Sequence, residues 1–308
     1  MVEPSASFFS RARRDIKRNR LIYLMALPIL AYYIIFHYAP MYGVLIAFKD
    51  YSPSLGILGS PFVGLKWFRE FFGSYYFTRL LRNTLLISIY SLLWGFPAPI
   101  LFALLINEVR NKFFKKAVQT ITYMPYFMSL VVVCGILVNF TSSTGVITGI
   151  VEALGGPKSN LLANPNYFRT IYVASGIWQN IGWGSIIYLA ALSGIDPALY
   201  EAATIDGAKR FRQILHITLP GIMPTIIILL ILNVGNIMSV GFEKIILLYS
   251  PPTYETADVI STFVYRKGIV ENNYAYSSAI GLFNSVINFL LVIAANKIST
   301  MTTEVGLW

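Results

Sequence analysis

The chain has 308 residues, of which 56% are hydrophobic and 12% are charged, and its mean hydropathy is +0.63. Soluble globular domains carry about 25% charged residues, so this composition excludes an ordinary soluble enzyme or binding domain. The net charge of +10 would suit nucleic-acid binding. Basic segments beside apolar ones are, however, typical of membrane proteins, where they set topology and contact lipid headgroups. We therefore expect a membrane protein in contact with lipid that does not bind nucleic acid.

Six stretches of the chain are apolar enough to cross a bilayer, each with at least 18 residues and no Asp, Glu, Lys or Arg. A helix needs about 20 residues to span the hydrocarbon core. The pattern predicts an all-α, polytopic membrane protein with six transmembrane helices. The six stretches are residues 21–48, 83–107, 117–151, 170–195, 213–242 and 272–296. The predicted organisation is a basic N-terminal segment (1–20), a transmembrane domain (21–298) and a short C-terminal tail (299–308).

The first stretch follows a basic segment, RARRDIKRNR, as the apolar part of a secretory signal peptide would. A signal peptide has an apolar region of about 7–15 residues and then small residues at a cleavage site. Here the apolar run is longer, and His37, Tyr38, Ala39 and Pro40 follow it without a small-x-small pattern. We expect this stretch to be retained as a membrane span.

The distribution of Lys and Arg predicts which side of the membrane each connection faces. If each stretch crosses once, residues 1–20, 108–116, 195–219 and 297–308 lie on one side and hold 14 of the 24 basic residues. The connections on the other side are longer and hold the other 10. Because cytoplasmic connections carry the excess of Lys and Arg, both termini are predicted to lie in the cytoplasm.

The connection between the fourth and fifth stretches contains a polar segment, EAATIDGAKRFRQILHITLPGIMP, which begins at residue 201. Just before it, Asp196 suits a helix N-cap and Pro197 suits the first helical position, while Gly207 permits the chain to turn at the end. A helix of about ten residues is about 15 Å long, which is too short to span a bilayer. We predict a short helix that lies across the cytoplasmic mouth of the bundle.

The spacing in this segment matches a known motif: Glu-Ala-Ala, three residues, Gly, nine residues, Ile, one residue, and Leu-Pro. It resembles the EAA loop in permease subunits of binding-protein-dependent ABC importers. Ala208 beside the glycine and Pro224 downstream are similar to the carbohydrate branch of that family, although Ile214 stands where a Phe is frequent. The matching residues are Glu201, Ala202, Ala203, Asp206, Gly207, Ile217, Leu219 and Pro220.

The resemblance covers most of residues 20–300. YAPMYGVLIAFKDYSP (38–53), GILGSPFVGLKWFREFF (56–72) and VQTITYMPYFMSLVVV (118–133) resemble six-span permeases for complex saccharides. That subgroup includes importers of alginate and of pectin-derived oligosaccharides. The resemblance implies a bacterial inner-membrane permease for an oligosaccharide or polysaccharide. It also makes an acidic sugar the expected substrate, with a neutral oligosaccharide as the alternative.

The family resemblance further implies a division of labour between subunits. Two permeases form the pore as a heterodimer, two cytoplasmic ATPases bind ATP and Mg²⁺, and an extracytoplasmic solute-binding protein delivers the sugar. This chain lacks a G-x-x-x-x-G-K-[ST] phosphate loop, so no cofactor is expected on it. In this family, the EAA helix transmits ATPase closure to the pore. That coupling role would fall to Glu201, Ala202, Ala203, Asp206, Gly207, Leu219 and Pro220.

Polar residues inside the apolar stretches are candidates for the substrate pathway. An amide in hydrocarbon needs a polar partner or a water-filled cavity, and residues three or four apart share a helix face. Aromatic rings and amides together suit the faces and hydroxyl groups of sugars. Hydrogen bonding between helices is the alternative role. The candidates are Gln179, Asn180, Trp183, Tyr188, Asn233, Asn236, Asn284 and Asn288.

Catalytic and ion-coupled functions have little support in the sequence. His37 and His216 fall at opposite membrane faces in the predicted topology, and Cys134 is the only cysteine, so we expect neither a catalytic site nor a metal centre. No G-x-S-x-G or H-E-x-x-H motif is present. A secondary transporter without ATPase partners remains the alternative class. It would need a charged residue within the spans to carry a proton or pair with an ion, and the six stretches contain none.

Overall fold

The computed structural model describes residues 15–303 and 305–307. The predicted N-terminal segment (1–20) therefore lies largely outside the described residues, as do two positions of the predicted tail. Within the described part, the chain is helical, and one isolated bridge between Lys49 and Phe62 is its only β-type pairing. The predicted all-α class is confirmed.

Twelve helices carry the architecture and are numbered in chain order. Short turns and 3-10 segments connect them. They are α1 (Arg20–Phe48), α2 (Lys66–Gly73), α3 (Tyr76–Glu108), α4 (Lys112–Phe127), α5 (Leu130–Phe140), α6 (Val146–Ala153), α7 (Pro165–Ser193), α8 (Pro197–Ile205), α9 (Arg210–Gly235), α10 (Phe242–Leu248), α11 (Ile260–Tyr265) and α12 (Tyr274–Thr303).

Four helices of the described chain are long and apolar enough to cross a membrane, namely α1, α3, α9 and α12, and the pair α4 and α5 makes up to five. The third predicted stretch is not one straight helix, because α4 and α5 meet at a bend of 99°. Pro125 lies just before this bend and cannot donate a backbone hydrogen bond. The chain is thus a polytopic helical membrane protein.

The fourth predicted stretch lies in α7, which has 29 residues and is about 43 Å long at 1.5 Å per residue. It does not meet the criterion of apolar composition, because polar Gln179 and Asn180 lie near its centre. Helix α7 packs against α3, α4 and α9. Gly182 permits the contact with α4, since any side chain there would collide with the Thr122 carbonyl. The most polar long helix is therefore at the centre of the bundle.

A buried cluster of charged residues joins the segments at one end of the bundle. Asp258, just before α11, is fully buried. Its carboxylate lies 2.6 Å from Arg266 Nη2 and 3.6 Å from Arg79 Nη2 of α3. Thr262 Oγ1 donates a hydrogen bond of 2.8 Å to the same carboxylate. The arginines compensate for the cost of burying this charge.

The cluster also holds α7 in place. Asn83 of α3 donates through Nδ2 to the backbone oxygens of Glu255 and Asp258, at 2.9 and 3.0 Å. Arg169 of α7 donates to Asn83 Oδ1 at 2.8 Å and to the Thr256 carbonyl at 3.3 Å. Helices α3 and α7 are thereby fixed to the segment that precedes α11.

We expect Asp258→Asn to lower the stability of the protein. The substitution leaves the half-buried Arg79 and Arg266 without their counter-charge, and the loss of one partner from a fully buried pair, about 3–5 kcal/mol, is the upper limit of the expected cost. The measurement is the thermal unfolding midpoint of the detergent-purified protein. Glu152→Gln is the matched control, because Glu152 pairs with Lys158 at an exposed site and such pairs contribute about 0–1 kcal/mol. Equal midpoints for Asp258→Asn and the wild type would contradict the stabilising role of the cluster.

Candidate functional site

The connection between α7 and α9 contains the short helix that the sequence predicts. Helix α8 runs from Pro197 to Ile205, and Asp196 Oδ1 caps it by accepting from Ala198 N at 2.9 Å. At its C-terminus Gly207 has φ +74°, in the left-handed region. The Gly207 and Ala208 amides donate to the carbonyls of Thr204 and Ala203, at 3.1 and 2.8 Å. This is a Schellman motif, so both ends of α8 are defined by local interactions.

Helix α8 is also tied to the first turns of α9. The Tyr200 hydroxyl lies 2.9 Å from Thr218 Oγ1. Gln213, which is buried, donates through Nε2 to Thr204 Oγ1 at 3.0 Å and to the Ala208 carbonyl at 3.1 Å. A displacement of α8 must therefore move α9 or break these bonds. Sequence reasoning missed Gln213, because a glutamine in a polar loop has no pattern that marks it as buried.

The outer surface of this connection is exposed and partly apolar. Among the predicted coupling residues Glu201, Ala202, Asp206 and Gly207 are exposed, and Ala203 is half-buried. The neighbouring side chains of Ile205 and Phe211 are 87% and 72% exposed. We call this set, Glu201 to Gly207 with Phe211, the loop surface. It borders a groove of about 700 Å³, which is large enough to receive a side chain of another protein.

Leu219 and Pro220 lie apart from the loop surface, about two and a half helical turns into α9. Pro220 has no N–H for the carbonyl of His216, four residues earlier, and the backbone over Ile214–Thr218 widens into a π turn. Single π turns in α-helices are frequent at functional sites. Leu219 and Pro220 thus follow an irregular turn between the loop surface and the body of α9.

Deeper in the bundle, α7 and α9 bring four of the predicted pathway residues to adjoining cavities. One cavity of about 240 Å³ is lined by Asn233 and Asn236. Another of about 360 Å³ is lined by Gln179 and Asn180. Ser91, Tyr172 and Gly241 line both, so we treat the two as one polar cavity.

The amides of the polar cavity are held by their own helices. Nδ2 of Asn180, Asn233 and Asn236 donates to the carbonyl four residues earlier, at 2.9, 2.8 and 2.9 Å. Each of these bonds uses one N–H of the side-chain amide. The side-chain oxygen is not involved and stays available as an acceptor. A second π turn, Ser91–Gly95 of α3, lies at the same cavity. The lining is thus a set of fixed hydrogen-bonding groups suited to a polar ligand.

Lys244 of α10 is a cavity residue that the sequence did not reveal. It is only 8% exposed, and its Nζ lies 3.2 Å from the Tyr172 carbonyl and 4.9 Å from the centre of that ring. Burial lowers the pKa of the Lys244 ammonium to about 8. The sequence places Lys244 in a connection between spans, where a lysine is normally exposed. Only the fold shows that α10 packs back against α7 and α5.

The other four predicted pathway residues do not line the polar cavity. Trp183 stacks on Tyr126, with ring centroids 4.7 Å apart, and Tyr188 is buried in the packing core between α3, α7 and α9. Asn288 of α12 accepts from Met238 N at 3.0 Å and donates to Ser239 Oγ at 2.8 Å. Asn284 has a buried Oδ1 without a hydrogen-bond partner. Asn288 therefore joins α12 to the segment that follows α9.

Comparison with known proteins shows which family has this fold. Residues 95–300 match the family described as binding-protein-dependent transport system inner membrane component. Protein LplB of Bacillus subtilis is 46% identical over 95% of this chain and 92% of its own length. The polygalacturonan/rhamnogalacturonan transport system permease protein YteP of the same organism is 45% identical, over 94% of this chain and 91% of its own.

A solved structure has the same fold over nearly the whole chain. It is a crystal structure of a bacterial ABC transporter involved in the import of the acidic polysaccharide alginate. One of its chains superposes with a TM-score of 0.88 at 48% identity, over 95% of this chain and 99% of that chain. The likeness therefore extends over nearly the whole fold.

The protein is thus a membrane-embedded permease, not an enzyme. It belongs to the binding-protein-dependent transport system inner membrane component family, and it is a multi-pass inner-membrane subunit of an ABC importer. In such a complex ATP is bound by partner ATPases, and the permease holds no cofactor. The family resemblance inferred from the EAA spacing is confirmed, and the alternative of a secondary transporter is wrong.

We expect Gln213→Leu to loosen α8 without unfolding the bundle. The substitution removes two hydrogen bonds between the buried amide and the loop, and we expect the backbone amides of residues 197–208 to exchange about tenfold faster. Hydrogen–deuterium exchange of the purified permease measures this. Lys209→Met, at an exposed position in the same connection, should leave exchange unchanged. Wild-type exchange in Gln213→Leu would show that Gln213 does not position α8.

Proposed function

We propose that this chain forms half of the translocation pathway in an ABC importer of acidic saccharides, that is, oligosaccharides or polysaccharides that carry uronate carboxylates. The observation that carries this proposal is the similarity to two saccharide transporters over more than nine-tenths of the chain. One imports alginate, and the other is named for polygalacturonan and rhamnogalacturonan. Alginate and polygalacturonan share one chemical feature, a carboxylate on each sugar ring.

Six membrane spans are part of the proposal: α1, α3, the bent pair α4 and α5, α7, α9 and α12. Two features of α7 support counting it: its length of about 43 Å is enough to cross a bilayer, and its polar centre faces the polar cavity instead of lipid. With six spans both termini share one side, and the excess of Lys and Arg makes that side cytoplasmic. The loop surface is then cytoplasmic as well, and α10 lies toward the outer side.

The proposed partners are a second permease, two ATPases and an extracytoplasmic solute-binding protein. Helix α1 supports the second permease, since no residue in its most apolar stretch is buried within this chain. A complex of the similar alginate transporter with an alginate pentasaccharide-bound periplasmic protein supports the solute-binding protein.

The loop surface is the proposed contact with an ATPase. Glu201 offers a charge, Ala202 and Ala203 leave a smooth face, and Ile205 and Phe211 expose apolar area at its rim. Exposed apolar residues rimmed by charged ones are characteristic of protein interfaces. The defined ends of α8 make it a rigid element that moves as one body.

Coupling follows from the bonds between α8 and α9. ATPase closure displaces α8, and Gln213 and Thr218 transfer the displacement to α9. From Thr218, α9 extends about 22 Å to Asn233, which lines the polar cavity. The π turn beyond Gln213 gives α9 a point at which to bend. The ATPases can drive this change only if they bind the two pore conformations with different affinity.

The proposed topology predicts that two engineered cysteines will label from opposite sides. In a Cys134→Ser background, which removes the only native cysteine, Lys158→Cys should react with a membrane-impermeant maleimide in intact spheroplasts. Ala202→Cys should react only after the membrane is permeabilised. Labelling of both from the outside would contradict the six-span arrangement.

We expect Ala203→Glu to uncouple the importer. A larger, charged side chain would separate the loop surface from the ATPase and bury an unpaired carboxylate, which lowers saccharide-stimulated ATPase activity by about tenfold or more. Co-purification of the two permeases should persist. Ala153→Glu, the same change at an exposed site on α6, is the control. Normal stimulation in Ala203→Glu would count against the coupling role.

The proposed substrate class is tested by ATPase stimulation in proteoliposomes that contain the complete importer. The cognate solute-binding protein is supplied with a panel of uronate and neutral oligosaccharides. We expect the uronates to stimulate ATP hydrolysis. Stimulation by neutral sugars alone would show that the substrate is a neutral oligosaccharide, while the assignment as a permease would stand.

A further inference from the structure

Lys244 is a buried cation without a counter-charge. The ion pairs among the described residues involve other Lys and Arg side chains, and none of them includes Lys244. Leaving an ammonium buried and unpaired costs several kcal/mol. Such a group persists where something other than the protein compensates for it, or where its charge is used.

The donors of Lys244 are only partly satisfied by the protein. An ammonium has three N–H donors, and the observed acceptor is the Tyr172 carbonyl, at 3.2 Å. Gly176, one turn further along α7, lies beside the amine. A side chain there would begin 3.6 Å from Nζ. The remaining donors are available to a ligand in the polar cavity.

The surroundings of Lys244 contain no acidic side chain. The residues that line the two parts of the polar cavity include no Asp or Glu. The titratable neighbours are the Cys134 thiol of α5 and the Tyr172 phenol of α7. The Tyr172 hydroxyl is directed at Gly241, and a Cβ atom at that position would lie only 2.8 Å from the hydroxyl oxygen. Lys244 therefore gives the cavity a single positive charge among neutral amides.

We propose that Lys244, together with Gln179 and Asn180, forms a carboxylate-binding subsite of the polar cavity through which a uronate passes. The ammonium supplies a charge-assisted hydrogen bond, and the amides supply further bonds to the carboxylate or the ring hydroxyls. A single unpaired cation suits a transporter, because a binding site on a pathway must also release its ligand. The subsite deepens the proposed function and rests on it.

An anionic lipid headgroup offers the same chemistry to an ammonium, since its phosphate also accepts charge-assisted hydrogen bonds. The polar cavity favours the saccharide. It is lined by four amide side chains, which suit the hydroxyl groups of a sugar, namely Gln179, Asn180, Asn233 and Asn236. The two sources of the anion can be separated by the lipid composition of the vesicles.

The test uses the complete importer in proteoliposomes, with the cognate binding protein saturated by a uronate oligosaccharide. We expect Lys244→Met to lower uronate uptake about tenfold, which is the effect of losing one charge-assisted hydrogen bond, and Lys244→Arg to retain most of it. Lys158→Met removes an exposed lysine and should transport as the wild type does. Co-purification and thermal midpoints verify that each variant assembles.

Four outcomes overturn the proposal. Wild-type uptake in Lys244→Met shows that the charge is not used. An equal loss in Lys244→Met and Lys244→Arg, with assembly intact, shows a packing role only. A deficit of Lys244→Met that disappears in vesicles of phosphatidylcholine alone, compared with vesicles that also contain phosphatidylglycerol, identifies lipid as the ligand. If the wild type responds to neutral sugars and to no uronate, the acidic-substrate proposal itself fails, and the carboxylate subsite with it.

Discussion

The structure depends on one constraint, that polar groups inside a bilayer must find partners within the protein. The helices satisfy their own backbone groups, which explains why the described chain is helical almost throughout. The same constraint explains the hydrogen bonds of the polar side chains. Asn180, Asn233 and Asn236 bond back to their own helices and turn toward the polar cavity, whereas Asn288 bonds to the segment after α9. The polar residues of these helices thus either line the polar cavity or join two segments of the chain.

Helix α9 connects the loop surface to the polar cavity. At one end, α9 is bonded to α8 through Gln213 and Thr218, and near its other end it presents Asn233 and Asn236 to the cavity. The charged cluster around Asp258 fixes α3 and α7 at the opposite end of the bundle. One helix is therefore placed to move while its neighbours are restrained. The proposed coupling, in which ATP-driven closure changes the cavity, requires such an arrangement.

Local signals in the sequence were sufficient for much of this description. Apolar stretches predicted the membrane helices, Asp196 and Gly207 predicted the ends of α8, and the EAA spacing identified the family. Features that depend on distant segments were not predictable. The packing of Trp183 on Tyr126 and the burial of Lys244 against Tyr172 each arise from contacts across the chain. The sequence shows that Lys244 lies in a connection between two apolar stretches. Only the fold shows that this connection packs back onto α7.

The central claim is that movement at α8 reaches the polar cavity through α9. The most direct measurement is the reactivity of a cysteine at position 236, in a Cys134→Ser background, toward a hydrophilic maleimide. It compares the complete importer with and without ATP, using ATPase subunits that bind but do not hydrolyse it. We expect ATP to change the labelling rate in the otherwise native permease and to leave it unchanged when Ala203→Glu is added. An identical response to ATP in both would contradict transmission from α8 to the cavity.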